Sequence, residues 1–146
     1  MAVPRDHPSY LEIRWDVEKW MLLRLTNFGT QLAFNPGEAI VKEGEPADGL
    51  YLILSGAAQV QRGGDAGSGQ KGTVLSTLGP FRSFGEISLL VEQPRTASVV
   101  ATTPLRCVKL TRNQLALVED KEPKLAVRLY RLVAESLARS LIAAPA

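Results

Sequence analysis

The stretch from Thr30 to Thr111 limits the fold most, because its apolar and alternating runs are short and are cut at brief intervals. The interruptions are Pro36-Gly37, Gly44, Pro46, Gly49, Gly56, Gly63-Gly64, Gly79-Pro80 and Pro104. Glycine supplies turn conformations and proline withholds a backbone donor, so no helix of useful length survives there, whereas short strands joined by turns do. The pattern predicts strands at Thr30 to Phe34, Ala39 to Val41, Leu50 to Leu54, Ala57 to Arg62, Val74 to Leu78, Ala97 to Ala101 and Leu105 to Leu110. Many short strands in succession suggest a barrel or roll. The polar segment Gly63 to Gly72 (GGDAGSGQKG) lies between two of them and reads as a hairpin tip.

Helical patterns flank this unit. Residues 1–29 mix Leu11, Trp15, Met21, Leu22 and Leu25 with charged residues and carry no proline after Pro8. Trp15 and Trp20 are expected to pack that segment against the body of the domain. After Thr111 the strand pattern stops, and Asn113 to Asp120 and Pro123 to Ile142 read as helices. Pro123 suits a first helical turn, where its missing N–H costs nothing. Leu125, Leu129, Leu132 and Ser136 form one row, and Ala126, Tyr130, Val133, Leu137 and Leu141 another. So wide an apolar sector either caps the core with both rows or leaves one for a partner, as in a homodimer.

Composition removes whole classes of function. With 146 residues the chain is expected to be a single domain, 1–146, divided into an N-terminal helical segment (1–29), a β unit (30–111) and C-terminal helices (112–146). Seventeen Lys and Arg against 15 Asp and Glu leave a formal charge of +2, so no groove for a nucleic-acid polymer is advertised. Cys107 and His7 each stand alone, which leaves no disulfide and no zinc cluster. Cys107 reads as a buried thiol and His7 as a residue of a polar terminus. No apolar run is long enough to span a membrane and no secretory h-region is present, so a cytoplasmic setting is expected.

The stretch Phe84 to Val100 (FGEISLLVEQPRTASVV) carries the chemistry. A glycine followed by Glu-Ile-Ser-Leu-Leu can open a short helix whose free N–H groups and dipole favour an anion such as phosphate. Arg95 follows Pro94, and its planar guanidinium suits two oxygens of one phosphate. Glu86, as a carboxylate, only accepts hydrogen bonds, so beside a phosphate its natural partner is a hydroxyl such as a sugar 2′-OH. Alone, Glu86 and Arg95 read better as a salt bridge closing a turn. Together with apolar neighbours they spell a nucleotide.

At these residues the chain resembles the cyclic nucleotide-binding domain, the module of the catabolite activator protein, protein kinase A regulatory subunits and cyclic-nucleotide-gated channels. The likeness runs from Phe34-Asn-Pro-Gly-Glu-Ala-Ile-Val-Lys-Glu-Gly-Glu-Pro-Ala-Asp-Gly-Leu-Tyr-Leu-Ile-Leu-Ser-Gly56, through Leu78-Gly79-Pro80, to a phosphate-binding cassette at 84–97 and the helices beyond. It implies a mainly β fold with flanking helices, an eight-stranded β-roll or jelly roll between an N-terminal helix and C-terminal helices. It also implies a binding site made by Gly85, Glu86, Ile87, Ser88, Arg95, Thr96 and Ala97. In that likeness Glu86 takes the ribose 2′-OH and Arg95 the cyclic phosphate. Backbone N–H groups near Ile87, Ser88 and Ala97 complete the cradle, Val74 and Phe84 line the pocket, and Tyr130, Val133 and Leu137 form a lid. The implied ligand is cyclic AMP, with cyclic GMP second, since a hydroxyl at Thr96 suits a guanine 2-amino group without requiring one. No cofactor and no catalysis are implied.

Rival readings are weaker. Gly64 to Gly69 has the interval of a P-loop, but Gln70 stands where lysine must reach the phosphates. A metalloenzyme on a β-roll needs several histidines and carboxylates, and the single histidine lies outside the roll. The residues after the long helix leave no room for a recognition helix, so DNA binding by this chain is not expected. The alternative is a ligand-free roll that serves as an interaction or dimerisation module, or as the regulatory tail of a transporter or channel.

Overall fold

The computed structural model describes residues 20–64, 72–85 and 93–143. His7, Leu11 and Trp15, the hairpin tip at 65–71 and the cassette residues Glu86, Ile87 and Ser88 therefore lie outside the described residues, as do the side chains of Ser136 and Leu141.

The β unit consists of β1 (Thr30–Phe34), β2 (Ala39–Val41), β3 (Leu50–Ser55), β4 (Ala58–Arg62), β5 (Thr73–Leu78), β6 (Ser83–Phe84), β7 (Ser98–Ala101) and β8 (Leu105–Leu110). They form two four-stranded antiparallel sheets in the orders β1-β8-β3-β6 and β2-β7-β4-β5. α1 (Arg112–Lys121) and α2 (Pro123–Ala143) follow, and residues 20–25 are helical before β1. This is the β-roll with flanking helices that the resemblance implies.

Two cores share β3. Tyr51 and Ile53 point into the roll with Val41, Ala58, Leu78, Phe84, Val99 and Cys107, whereas Leu50 and Leu52 belong to the core under the helices. Covered on both faces, the strand reads as the continuous apolar run Leu-Tyr-Leu-Ile-Leu. The helix-facing core adds Met21, Leu22 and Leu25 from one side and Leu115, Val118, Leu125, Leu129 and Leu132 from the other. Burying each such leucine or valine contributes about 1.5–3 kcal/mol.

Local chemistry sets the boundaries. Thr111 caps α1: its hydroxyl accepts from Gln114 N while the Gln114 side chain accepts from Thr111 N, a reciprocal box. β4 begins at Ala58 because Ala57 is drawn off the ladder, its N–H donating to Thr103 Oγ1. β6, absent from the pattern-based reading, is too short to show alternation and exists because Leu52 and Tyr51 pair with Ser83 and Phe84.

The expectation that Trp20 packs the first helix against the body is overturned. Met21, Leu22 and Leu25 occupy the inward face, and Trp20 remains 47 % exposed. The guanidinium groups of Arg24 and Arg128 lie 5.5 and 5.4 Å from its ring centroid instead. Arg24 also donates from Nε to Glu122 Oε1 at 2.8 Å, tying this segment to the junction of α1 and α2. Cys107 is fully buried as expected, and burial pushes its thiol up to about 11.

Candidate functional site

The site grows from Arg95. Its main chain is clamped to the turn before β3, with Arg95 N donating to Glu45 O at 2.9 Å and Gly44 N to Arg95 O at 2.8 Å. The side chain is thereby directed inward and is only 4 % exposed. Nη1 donates to Gly85 O at 3.0 Å, and Nη2 donates to Gly49 O at 2.8 Å and to Asp48 Oδ1 at 3.1 Å. Tyr51 lies beneath, its ring centroid 5.7 Å from the guanidinium carbon, and stacks on Phe84 at 5.0 Å.

Gly85 is indispensable here for two reasons. Its φ of +86° favours glycine, and a Cβ would stand 2.4 Å from Arg95 Nη1. The bare backbone lets its carbonyl approach the guanidinium.

Asp48 joins a second cation to the first. Its Oδ2 accepts from Lys109 Nζ at 2.6 Å. Burial pushes the Asp48 carboxyl up, but the bonds and charges of Lys109 and Arg95 outweigh it and hold the group below its ordinary value. The same contact raises Lys109 against the downward pull of its own burial. Tyr51 is raised by burial and then by the Asp48 charge. Asp48 is therefore an anion, and Arg95 rests on one carboxylate and two carbonyls.

The sequence matches the cyclic nucleotide-binding domain family across residues 31–119. The chain belongs to that family. It is 32 % identical over 124 residues to the CRP-like cAMP-activated global transcriptional regulator of Mycobacterium tuberculosis (strain CDC 1551 / Oshkosh), which covers 85 % of this chain and 54 % of that protein. It resembles the Thermus thermophilus catabolite activator protein with a TM-score of 0.67 and 28 % identity, over 84 % of this chain and 56 % of the other. The N-terminal domain of a transcriptional regulator from Streptomyces coelicolor A3(2) matches with a TM-score of 0.63 and 27 % identity, over 86 % and 85 %. The chain thus spans about half the length of the first two.

In this cyclic nucleotide-binding domain Gly85, Phe84 and Arg95 come together, while Thr96, Ala97 and Val74, the other described residues expected to line the pocket, are exposed or half-buried. Thr96 is exposed, and its carbonyl accepts from Arg62 Nε at 3.3 Å. Ala97 is half-buried beside it, while Val74 is exposed on β5, at the edge of its sheet. Of the lid candidates, Val133 is buried in the helix-facing core and Leu137 packs against it. Tyr130 faces outward and donates its hydroxyl to Glu119 Oε1, and burial together with that bond pushes it up to about 12.

Asp48, Gly49, Tyr51 and Lys109 were not legible as site residues. Asp48-Gly49 reads as turn chemistry and Lys109 as an outward position on a strand. Only the pairing of Tyr51 with Lys109 across β3 and β8 brings them to Arg95.

Proposed function

We propose that this chain is a regulatory domain that binds a cyclic mononucleotide, cyclic AMP first and cyclic GMP second, and signals through the position of its C-terminal helix. One observation carries the reading. A guanidinium is held inside the molecule by main-chain carbonyls at the end of the cassette, facing a glycine that admits no side chain. The name of the related Mycobacterium tuberculosis regulator, cAMP-activated, supports the first choice of ligand.

In this reading the cyclic phosphate takes the donors on Arg95 that its three bonds leave open and competes with Asp48 for Nη2. Glu86 receives the ribose 2′-OH, the backbone N–H groups of Ile87, Ser88 and Ala97 close around the phosphate, and Phe84 and Val74 supply apolar contact. Thr96 lies towards the base. Val133 and Leu137 are packed against the core, so a lid role for them requires α2 to shift, with Tyr130 moving from Glu119. Ligand that binds the shifted state more tightly populates it, and that difference in affinity is the energy available for signalling. The domain does this without catalysis, in the cytoplasm, and passes the signal to a second copy or an effector through its terminal helices.

A second reading is favoured by the three bonds that Arg95 already makes within the chain: a ligand-free roll that serves as an interaction module. Isothermal titration of nucleotide-stripped protein with cyclic AMP and with cyclic GMP separates the two. Saturable one-to-one binding supports the receptor, and the tighter nucleotide names the base. Silence with both, matched by an unmoved melting temperature, leaves the interaction module.

A further inference from the structure

Among the described residues Phe81 is the one non-glycine with a positive φ, 66°. Arg82 N donates to Gly79 O at 3.3 Å, and Pro80 in second position has its φ fixed near −65° by its ring. The turn is therefore of type II, with Phe81 where glycine or asparagine normally stands. Such a residue persists only when its surroundings over-determine it. Here they do: Phe81 is 9 % exposed and belongs to the core that holds Met21, Leu22, Leu25, Leu125 and Leu129. Its N–H donates to Ile53 O at 2.8 Å, and Ile53 N donates to Arg82 O at 3.0 Å.

β6 starts directly beyond this turn and changes sides within its length. Ser83 pairs with Leu52 of the helix-facing core, Phe84 with Tyr51 of the core inside the roll, and Gly85 then presents its carbonyl to Arg95. A glycine at 81 would make the turn without strain. What phenylalanine adds is a ring anchored among the helices.

We propose that Phe81 is a positioning residue that couples the terminal helices to the Arg95 cradle. Its ring is held by the helix core and its strained backbone sets the start of β6, whose end places Gly85 O. Withdrawal of the helices frees the ring and lets the turn leave the left-handed conformation. The Gly85 carbonyl then loses its place on Nη1. This coupling belongs to the chain without nucleotide, so it stands or falls apart from the binding reading.

The test is residue-resolved amide hydrogen exchange by NMR on the whole chain, without nucleotide. Leu129→Ala loosens the helix core, with the Arg95 and Ile53 amides as reporters and the Ala101 amide of the other sheet as reference. The expected result is an acceleration at Arg95 and Ile53 about tenfold beyond that at Ala101, the signature of a local opening rather than global loss of stability. Phe81→Gly should abolish that excess and Phe81→Leu should keep it. If Phe81→Gly fails to fold, Phe81→Asn, which also tolerates positive φ, takes its place. No excess with Leu129→Ala alone, or an undiminished excess in the Phe81→Gly or Phe81→Asn background, overturns the proposal.

Discussion

Arg95 and Asp48 form an ion pair of unequal partners: Nη2 and Oδ1 are 3.1 Å apart, yet the arginine side chain is 3 % exposed and the aspartate 57 %. The buried member is not held by this pair alone, because Gly49 O and Gly85 O hold it from the main chain. The exposed member is shared with Lys109. Removing either partner should therefore have different consequences.

Arg95→Ala should damage both binding and folding. Two main-chain carbonyls lose their donor, at about 1–3 kcal/mol for each one left buried and unsatisfied, so urea unfolding should report a loss of about 2–6 kcal/mol. Nucleotide affinity should fall by about 2–5 kcal/mol, since a desolvated charge contact is removed. A Kd changed by less than tenfold in titrations on the folded fraction would argue against phosphate at Arg95.

Gly85→Ala tests the cradle from the other side. Its Cβ meets Arg95 Nη1 at 2.4 Å on a backbone with φ of +86°, so the guanidinium must swing away. The expected destabilisation is about 1–3 kcal/mol, with loss of nucleotide binding. Binding at wild-type affinity would mean that Arg95 need not stay against Gly85 O.

Asp48→Asn removes an anion from beside the proposed phosphate position while both carbonyls keep Arg95 in place. Nucleotide affinity should rise by about three- to tenfold at low salt and return towards wild type as salt screens the local potential. Stability should drop by at most about 1 kcal/mol, because the carboxylate is more than half exposed. Weaker binding in this variant would show instead that Asp48 is needed to orient Arg95.

Acid should reveal the same carboxylate. Its folded value lies below the ordinary 3.8, so the unfolded chain takes up the proton first and stability falls as pH drops. The contribution is complete above 3.8 and is lost as pH falls through the lowered folded value. Urea midpoints measured down this range should slope less steeply in Asp48→Asn than in wild type, and equal slopes would exclude the pair as a source of acid sensitivity.

Cys107 should resist thiol reagents in the native state. It is fully buried and raised to about 11 by that burial, so both access and thiolate are lacking. Labelling should proceed only as fast as the chain opens and should accelerate in denaturant. Rapid labelling of folded protein would contradict the closed inner core.

The periodicities that set the roll were legible because the residues causing them act locally. Pro36-Gly37, Gly56 and Gly79-Pro80 end runs wherever they stand, and Leu125, Leu129 and Leu132 share a helix face whatever they meet. β6 was not legible, since a two-residue strand has no period and exists only through its pairing with Tyr51 and Leu52. Trp20 misled for a related reason: hydrophobicity says that a residue prefers burial but not which face of its helix will be covered.

The candidate site divides along the same line. Gly85 and Arg95 stand out in the sequence because a phosphate seat calls for a glycine before the anion-binding turn and an arginine beyond it. Asp48, Tyr51 and Lys109 have no such mark, because turn aspartates and strand lysines are ordinary.

Sequence alone determined a strand-rich unit between helices and a glycine–arginine cassette, for these follow from spacing and residue chemistry. Tertiary structure decided that Arg95 would rest on Gly49 O, Gly85 O and Asp48, that Lys109 would share the aspartate, and that Phe81 would hold a glycine's conformation with its ring among the helices. Those relationships join residues far apart in the chain, and only the closed roll brings their donors, acceptors and apolar surfaces within reach.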